Sequence, residues 1–355
     1  AVGESDSVIF GHQNDTHHKA GSLGESFSSS DTKDVTGSIA GVVGIDTLSL
    51  TGNEASSWDT PEADRIAKVA EITKEAAGEG AIVTLSAHMP NFGLIDKRVK
   101  AYGEANGTET DGEKVGYWTV NGEKQYNFSG YTPGTTDGNI VSRIMPGQDL
   151  NYLYTDYLDM IADYAKAVEG DGITILFRPF HENTGSWFWW GAAFCDEQAY
   201  INLFRYTVDY LKETRNVHNM LYVYGPGSEA ANVAEYGARY PGDAYVDMIG
   251  YDMYHQTPTQ ANEPGYLASV KKQNGILRDF AEKHNKLYAI TETGVADKDK
   301  SGMDIALKRS GNEVPDWYMQ LLDEISEDGG ISYFLVWANF SENGSFYLPY
   351  VVEKK

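Results

Sequence analysis

The stretch that decides the fold runs from Tyr152 to Phe177, YLYTDYLDMIADYAKAVEGDGITILF. Its first part, Tyr152 to Val168, repeats apolar residues at the three- and four-residue spacing of an amphipathic helix. The second part, Ile173 to Phe177, is a short apolar and β-branched run typical of a buried strand. A helix followed directly by a buried strand is the repeating unit of α/β proteins with a parallel sheet.

The same unit recurs along the chain. The other strand candidates are Val8 to Phe10, Ile39 to Ile45, Ala81 to Ser86, Met220 to Tyr224, Val246 to Gly250, Leu287 to Ile290 and Ile331 to Trp337. The other amphipathic stretches are Pro61 to Ala77, Glu197 to Glu213, Gly265 to His284 and Val314 to Ile325. Eight strands predict closure into a (β/α)8 TIM barrel, and the absence of a glycine-rich dinucleotide motif after the first strand disfavours an open sheet. We therefore predict an α/β fold in which residues 1–355 form one catalytic domain.

One segment departs from this alternation. Met89 to Gln148 is long, polar and rich in Gly, Thr and Asn, with Tyr and Trp interspersed. It follows the third strand, so we predict a long loop on the catalytic face of the barrel. Within it, the Tyr- and Gly-rich part from Tyr117 to Tyr131 is expected to wall one end of a groove.

Composition limits the partners. The chain has 28 basic and 52 acidic residues and a net charge of −24, which argues against nucleic acid and anionic membranes as partners. Its apolar runs are too short to span a bilayer. The single cysteine, Cys195, excludes an internal disulfide. The polar start, Ala1 to Ser5, fits either a mature end after cleavage or a cytosolic start, and we expect a secreted monomer whose signal peptide has been removed.

Polar residues follow five of the predicted strands, at the rim where barrel enzymes place their active sites. The third strand leads to His88, the fourth to Arg178, His181 and Glu182, the sixth to Asp252 and Tyr254, the seventh to Glu292, and the eighth to Trp337 and Asn339. A structural face needs no such set. The sequence therefore predicts that this rim is a catalytic site.

Two of these residues, Glu182 and Glu292, would face each other across the barrel mouth. Retaining glycosidases need two carboxyl groups about 5 Å apart, one a nucleophile and one an acid/base. The nucleophile must be ionised, which Arg178 and Tyr254 would favour, whereas the acid needs a raised pKa. The pair predicts hydrolysis of a glycosidic bond with retention.

An aromatic run follows Glu182. Trp187-Phe188-Trp189-Trp190-Gly191 places three tryptophans within four residues, and aromatic residues make up 12% of the chain. Flat rings stack on sugar rings, so we predict an exposed aromatic platform here, with one of the three tryptophans structural.

These motifs resemble glycoside hydrolase family 26, in which most members are endo-β-1,4-mannanases. Phe177 to Glu182 with Trp187 to Gly191 resembles the acid/base strand of that family, and Ile290 to Gly294 resembles its nucleophile strand. The weaker matches, in family order over nearly the whole chain, are Phe10 to Gln13, Val83 to Ser86 with His88, Gly250 to Asp252 with Tyr254, and Trp337 with Asn339.

The resemblance implies that Glu182 is the acid/base and Glu292 the nucleophile. It also implies that the cleavage site is lined by His88, His181, Trp187, Asp252, Tyr254 and Trp337. We add Arg178, Trp190 and Asn339 as candidate substrate-binding residues. Ala87, where many members carry Trp, and Ala338, where some carry Arg, depart from the family pattern and affect the shape of the sugar subsites.

The expected substrate is the internal β-1,4-mannosidic bond of mannan, galactomannan or glucomannan. Mixed-linkage β-glucan and β-1,3-xylan are alternatives from the same family, and a non-catalytic carbohydrate-binding barrel is the alternative from another class. A zinc hydrolase of the H-E-x-x-H type is excluded because position 185 is Gly. His12, His17 and His18 could hold a metal, although isolated histidines are the more common case; we expect no metal and no cofactor.

Overall fold

The computed structural model describes residues 7–20, 28–57, 60–104, 115–131, 134–298, 304–305, 311–340 and 347–350. The eight barrel strands are β1 (Ile9–Gln13), β2 (Val42–Asp46), β3 (Ile82–Ser86), β4 (Ile175–Arg178), β5 (Met220–Tyr224), β6 (Met248–Gln256), β7 (Leu287–Lys298) and β8 (Ile331–Val336). The longer helices are Glu62–Gly78, Phe92–Tyr102, Asn151–Glu169, Glu197–Asp209, Glu263–His284 and Trp317–Asp328, and the shorter ones are Asp31–Thr36, Thr47–Thr51, Ile140–Arg143 and Val233–Tyr236.

The eight strands close into a parallel barrel, as predicted. Each strand pairs in parallel with its sequence neighbour, and β1 pairs with β8 through Ile9 opposite Tyr333 and Phe10 opposite Phe334. Because the last strand pairs with the first, the sheet has no free edge, which removes the unpaired backbone groups of an open sheet. All carboxyl ends of the strands therefore meet at one rim.

Two apolar layers hold this arrangement. Inside the barrel, a small cluster contains Val42, Val223, Met248, Ala289, Tyr333 and Leu335. Outside it, the helices bury a much larger cluster against the strands, including the fully buried Tyr154, Tyr157 and Leu158 of the helix Asn151–Glu169. Strands buried on both faces explain why their sequences are continuous apolar runs and not alternating ones.

Two strands are longer than the sequence predicts. β6 continues past Gly250 to Gln256, and β7 continues past Ile290 to Lys298. Their register shifts between Tyr251 and Asp252, so that Tyr251 lies opposite Ile290 but Asp252 lies opposite Glu292. This bulge leaves one extra residue, Thr291, in β7 and places two polar side chains on adjacent strands at the rim.

The segment after β3 is more ordered than the predicted loop. It contains the helix Phe92–Tyr102, capped by Asn91, and an antiparallel hairpin of Tyr117–Val120 with Glu123–Tyr126. The long connection after β3 is present as predicted, but the helix and the hairpin within it were not predicted. The polar, glycine-rich composition hid the apolar face of the helix, whose buried Phe92 and Ile95 lie near its start. No helix within the described residues is both long and apolar enough to cross a membrane.

Candidate active site

Glu182 and Glu292 meet at the rim of the barrel. Glu292 lies within β7, and Glu182 follows the end of β4 by four residues. Together with Asp252, they bring one carboxylate oxygen each within 4.8 Å of one another. Such a spacing leaves no room for a water molecule between the second carboxylate and the sugar carbon, so it suits direct attack by that carboxylate.

Glu292 is held by cationic and hydroxyl donors. The buried guanidinium of Arg178 donates to Glu292 Oε1, and its other nitrogen bonds Asp252 Oδ2 at 2.7 Å. The Tyr254 hydroxyl donates to Glu292 Oε2 at 2.9 Å. Both oxygens of Glu292 therefore accept hydrogen bonds, one from a cationic group and one from a hydroxyl group. These donors hold the carboxylate in one orientation, as attack by a nucleophile requires.

Asp252 is fixed behind this contact. The hydroxyl of Thr291, the bulge residue, donates to Asp252 Oδ1 at 2.6 Å, while Arg178 binds Oδ2. With both oxygens engaged by the protein, Asp252 holds the Arg178 guanidinium in place.

Glu182 has the opposite environment. It is half-buried, and the indole N–H of Trp187 donates to its Oε2 atom. Burial, together with the nearby negative charge of Glu292, raises the pKa of Glu182 to about 7. The carboxyl group thus keeps its proton in slightly acidic solution, as a general acid must, and loses it as the pH rises through that value.

The backbone at Glu182 is strained. Phe180 and Glu182 have φ angles of 52° and 51°, in the left-handed region that non-glycine residues adopt at a cost of about 1–3 kcal/mol each. Three hydrogen bonds hold this turn: Glu182 N–H to the Gly225 carbonyl at 2.8 Å, Tyr200 OH to the Phe180 carbonyl at 3.1 Å, and Trp190 Nε1 to the His181 carbonyl at 2.7 Å. In this conformation of the turn, the Glu182 side chain points toward Glu292.

The three tryptophans of the aromatic run differ in exposure, and not in the way that was predicted. Trp187 is 44% exposed at the cleft, whereas Trp189 and Trp190 are both buried. The prediction that only one tryptophan is structural was therefore wrong, and so was the placement of Trp190 against substrate. Trp190 is stacked on Phe188 and faces the protein interior, where its indole supports the strained turn.

Replacing Trp190 by Phe should lower both stability and activity. The change leaves the buried His181 carbonyl without its donor, at a cost of about 1–3 kcal/mol in the free energy of unfolding. We expect kcat to fall about tenfold because Glu182 loses its orientation. Trp189→Phe is the matched control, since the neighbouring Trp189 indole donates to the Pro90 carbonyl and not to a carbonyl of this turn. Equal kcat losses in the two variants, measured beside urea unfolding, would contradict this role.

Gly185 makes room for Trp187. A Cβ atom on Gly185 would lie 2.4 Å from the Trp187 ring, closer than any side chain tolerates. The glycine that excludes a zinc motif therefore allows the indole to fold back toward Glu182.

His88 lies at the centre of the cleft floor. Its ring packs edge-on against Tyr131, Phe188 and Trp337, with centroids 5.3–5.6 Å away. Its Nε2 atom is 3.1 Å from Nε2 of His181. The structure thus brings His88, His181 and Trp337 together as predicted, and it brings Tyr131 from the segment after β3 into the same floor.

Two acidic residues beside His88 were missed from the sequence. Asp46 ends β2 and is fully buried, with Oδ2 2.7 Å from His88 Nδ1. Glu54 accepts from Asn14 at 3.0 Å, and burial together with the Asp46 charge raises its pKa to about 7. Asp46 could have been found by the strand-end rule, but no sequence signal places Glu54 here, because the short helix Thr47–Thr51 turns the chain back.

Asn339 was predicted to bind substrate, and the structure contradicts this. The residue is fully buried, and its amide nitrogen donates to Asp31 Oδ2 at 2.9 Å. Its amide oxygen accepts from the backbone N–H groups of Tyr347 and Leu348 at 2.8 and 3.0 Å. Both ends of the amide are used within the protein, so Asn339 anchors the segment after β8.

The early histidines do not form a metal centre in the described part of the chain. His12 Nδ1 lies 2.7 Å from Asp15 within a buried hydrogen-bond network. Among the described residues, the set of three converging ligand atoms is that of Glu182, Asp252 and Glu292, and Arg178 already neutralises part of its charge.

The fold and the site together define a class: parallel (β/α)8 barrels with two opposed glutamates at the carboxyl rim, one ion-paired and one with a raised pKa. The chain belongs to glycosyl hydrolase family 26, whose sequence profile matches residues 2–327.

Similar proteins and solved structures support this membership. A mannan endo-1,4-beta-mannosidase of Bifidobacterium adolescentis is 32% identical over 96% of this chain, although the match spans only 30% of that protein. The catalytic domain of an endo-beta-1,4-mannanase of Bacillus sp. JAMB-750 superposes with a TM-score of 0.77 at 28% identity, covering 97% of this chain and 80% of that one. An endo-beta-1,4-mannanase of Cellulomonas fimi superposes with a TM-score of 0.75 at 32% identity, covering 96% and 67%.

Proposed function

We propose that this protein is a retaining glycoside hydrolase that cleaves internal β-1,4-mannosidic bonds. The observation that carries the proposal is the pairing of Glu182 and Glu292 within 4.8 Å in opposite electrostatic environments. The choice of mannan rests on the relatives. A mannan endo-1,4-beta-mannosidase and the catalytic domain of an endo-beta-1,4-mannanase each match nearly the whole length of this chain.

In the first step, Glu292 attacks the anomeric carbon while Glu182 donates its proton to the glycosidic oxygen. The bond to the leaving sugar breaks, and a glycosyl ester forms on Glu292. In the second step, Glu182, now a carboxylate, takes a proton from water as the water attacks the same carbon and releases Glu292. Arg178 and Tyr254 stabilise Glu292 as an anion before attack and after release.

The remaining residues of the cleft would bind the sugar. Trp187 is exposed beside Glu182, and the rings of Trp337 and Tyr131 pack edge-on against His88; we assign these three aromatic side chains to contacts with the sugar rings. Mannose differs from glucose by its axial 2-hydroxyl, and contacts at that hydroxyl strengthen in the transition state. His88, which is partly exposed, is the polar group that we assign to it, and the buried His181 lies behind it, 3.1 Å from His88 Nε2.

A panel of polysaccharides tests the substrate. Mannan, galactomannan, lichenan and β-1,3-xylan are incubated with the protein and the products are sized. Glucose would leave the groups at the axial hydroxyl unpaired, at about 1–3 kcal/mol each, so we expect mannan to be cleaved at least about tenfold faster than lichenan. Comparable rates on both would overturn the choice of mannan but not the two glutamates. Proton NMR of the first product should show the β-anomer, and an α-anomer would overturn retention.

We also propose that the protein acts outside the cell as a monomer on β-mannan, galactomannan or glucomannan chains, without nucleic acid or membrane partners. The net charge of −24 disfavours nucleic acid and anionic membranes as partners, and polymers of this kind are too large to enter a cell intact, which supports an extracellular setting. Residues 1–355 would act as one catalytic domain, since β1 and β8 belong to the same closed sheet.

A further inference from the structure

A buried carboxylate lies behind the cleft floor. Asp46 contacts His88 Nδ1 through Oδ2, which also accepts from the Ser86 hydroxyl at 2.5 Å. Its other oxygen accepts from the Leu48 N–H at 2.9 Å and begins the helix Thr47–Thr51. With both oxygens engaged, Asp46 has a fixed position, and it fixes the His88 ring in turn.

His88 connects this carboxylate to the acid/base turn. Its Nδ1 faces Asp46 and its Nε2 faces His181, the residue that precedes Glu182. The aromatic rings packed around His88 prevent the imidazole from turning over. One side chain therefore lies between the buried Asp46 and the turn that carries Glu182.

The charges around His88 come from several elements. Asp46 faces it from β2, Glu54 from the bend after the helix Thr47–Thr51, and Glu292 from β7. Glu182 and His181 face it from the turn after β4, and Arg178 from β4. Burial alone would lower the pKa of His88, but the charge and hydrogen bond of Asp46 raise it above its usual value. Burial and the charge of His88 hold the pKa of His181 well below its usual value. Of the two rings, His88 is therefore the one that favours the protonated form.

We propose that Asp46 is a positioning residue for the reaction, which fixes the His88 ring against the turn that carries the acid/base Glu182. This proposal rests on the proposed roles of the two glutamates. The charge on His88 stabilises Glu182 as a carboxylate, the form that must take the proton from water in the second step.

Replacing Asp46 by a neutral residue should raise the pKa of Glu182. Without the carboxylate, His88 loses its proton at a lower pH, and Glu182 loses the positive neighbour that favours its ionised form. Glu182 then keeps its proton to higher pH. The alkaline limb of the kcat/KM profile should move upward, by about half a pH unit or more.

Asp46→Asn is the test variant, because an asparagine oxygen can still cap the helix at Leu48. We expect the upward shift of the alkaline limb together with an approximately tenfold lower kcat. Ser86→Ala is the matched control, since it removes a hydrogen bond from Asp46 without changing charge and should leave the limb in place. In a His88→Gln background, Asp46→Asn should add no shift. An unmoved limb in Asp46→Asn, or the same shift without His88, would overturn the proposal.

A second measurement does not depend on activity, and its readout comes from the unmodified protein. The His88 ring is titrated by NMR in the unmodified protein, with His88→Gln used for assignment. We expect His88 to titrate above pH 6.5, and a lower value would overturn the proposal. Because this readout does not involve hydrolysis, it separates the failure of this proposal from the failure of the proposed glycosidase activity.

Discussion

Glu292→Ala is expected to abolish turnover of every substrate. Without the carboxylate no glycosyl ester can form, so kcat should fall by roughly 10⁴-fold or more on polysaccharides and on aryl glycosides alike. The loss is measured with mannan and with an activated aryl mannobioside. Glu263→Gln is a matched control, since Glu263 is a buried glutamate that contacts His255 away from the cleft, and it should leave kcat within a few fold of the parent.

The same variant separates catalysis from folding. Removing Glu292 also leaves the buried Arg178 with one carboxylate partner in place of two. Circular dichroism and thermal unfolding therefore accompany the assay, and a folded, inactive protein is the expected result. A fluorinated mannobiosyl inhibitor with a good leaving group should label Glu292 in the parent protein. Residual turnover above about 1% in the folded variant, or a label on another carboxylate, would refute the assignment.

Glu182→Ala is expected to affect substrates unequally. A sugar leaving group needs protonation, so hydrolysis of mannan should fall by about 10²–10⁴-fold. An aryl glycoside with an acidic phenol leaves without that help, and its first step should be nearly unchanged. The glycosyl ester should then accumulate, because no base activates water, and added azide should restore turnover.

Comparing mannan with the aryl glycoside tests whether Glu182 is the acid/base. Pre-steady-state release of the phenol from Glu182→Ala should show a burst followed by a slow phase. Trp187→Phe serves as the control, because it removes the hydrogen bond to Glu182 but keeps the carboxyl group. Equal losses on mannan and on the aryl glycoside, without a burst, would argue against Glu182 as the acid/base.

Much of the fold could be predicted because its signals are local. Each barrel strand is a short apolar run between glycines, charged residues or helices, and all eight predicted strands are present. The strand ends were less accurate: β6 and β7 extend beyond Gly250 and Ile290, since pairing with a neighbour decides where a polar strand stops. Helical periodicity likewise failed for Phe92–Tyr102, where one turn of apolar residues lay within a polar segment.

Some residues of the site could likewise be predicted from the sequence, and others could not. Glu182 and Glu292 follow from the rule that catalytic side chains lie at the carboxyl ends of barrel strands. Trp190 and Asn339 were misplaced because composition alone does not show which side of a loop faces the cleft, and both turned out to be buried supports. Glu54 was missed because it reaches the cleft only through the path of the helix before it, a tertiary feature without a sequence pattern.

The pairing of β1 with β8 has a consequence for synthesis. A ribosome makes the chain from its first residue onward, so β1 is complete more than 300 residues before the strand that covers its edge. During that interval the nascent barrel carries an open, apolar edge, a feature that favours aggregation and recruits chaperones. Contacts this distant in sequence also slow folding. The hydrogen bond from Asn339 to Asp31 joins residues more than 300 positions apart, so it cannot form before β8 has been made and belongs to the late steps of folding.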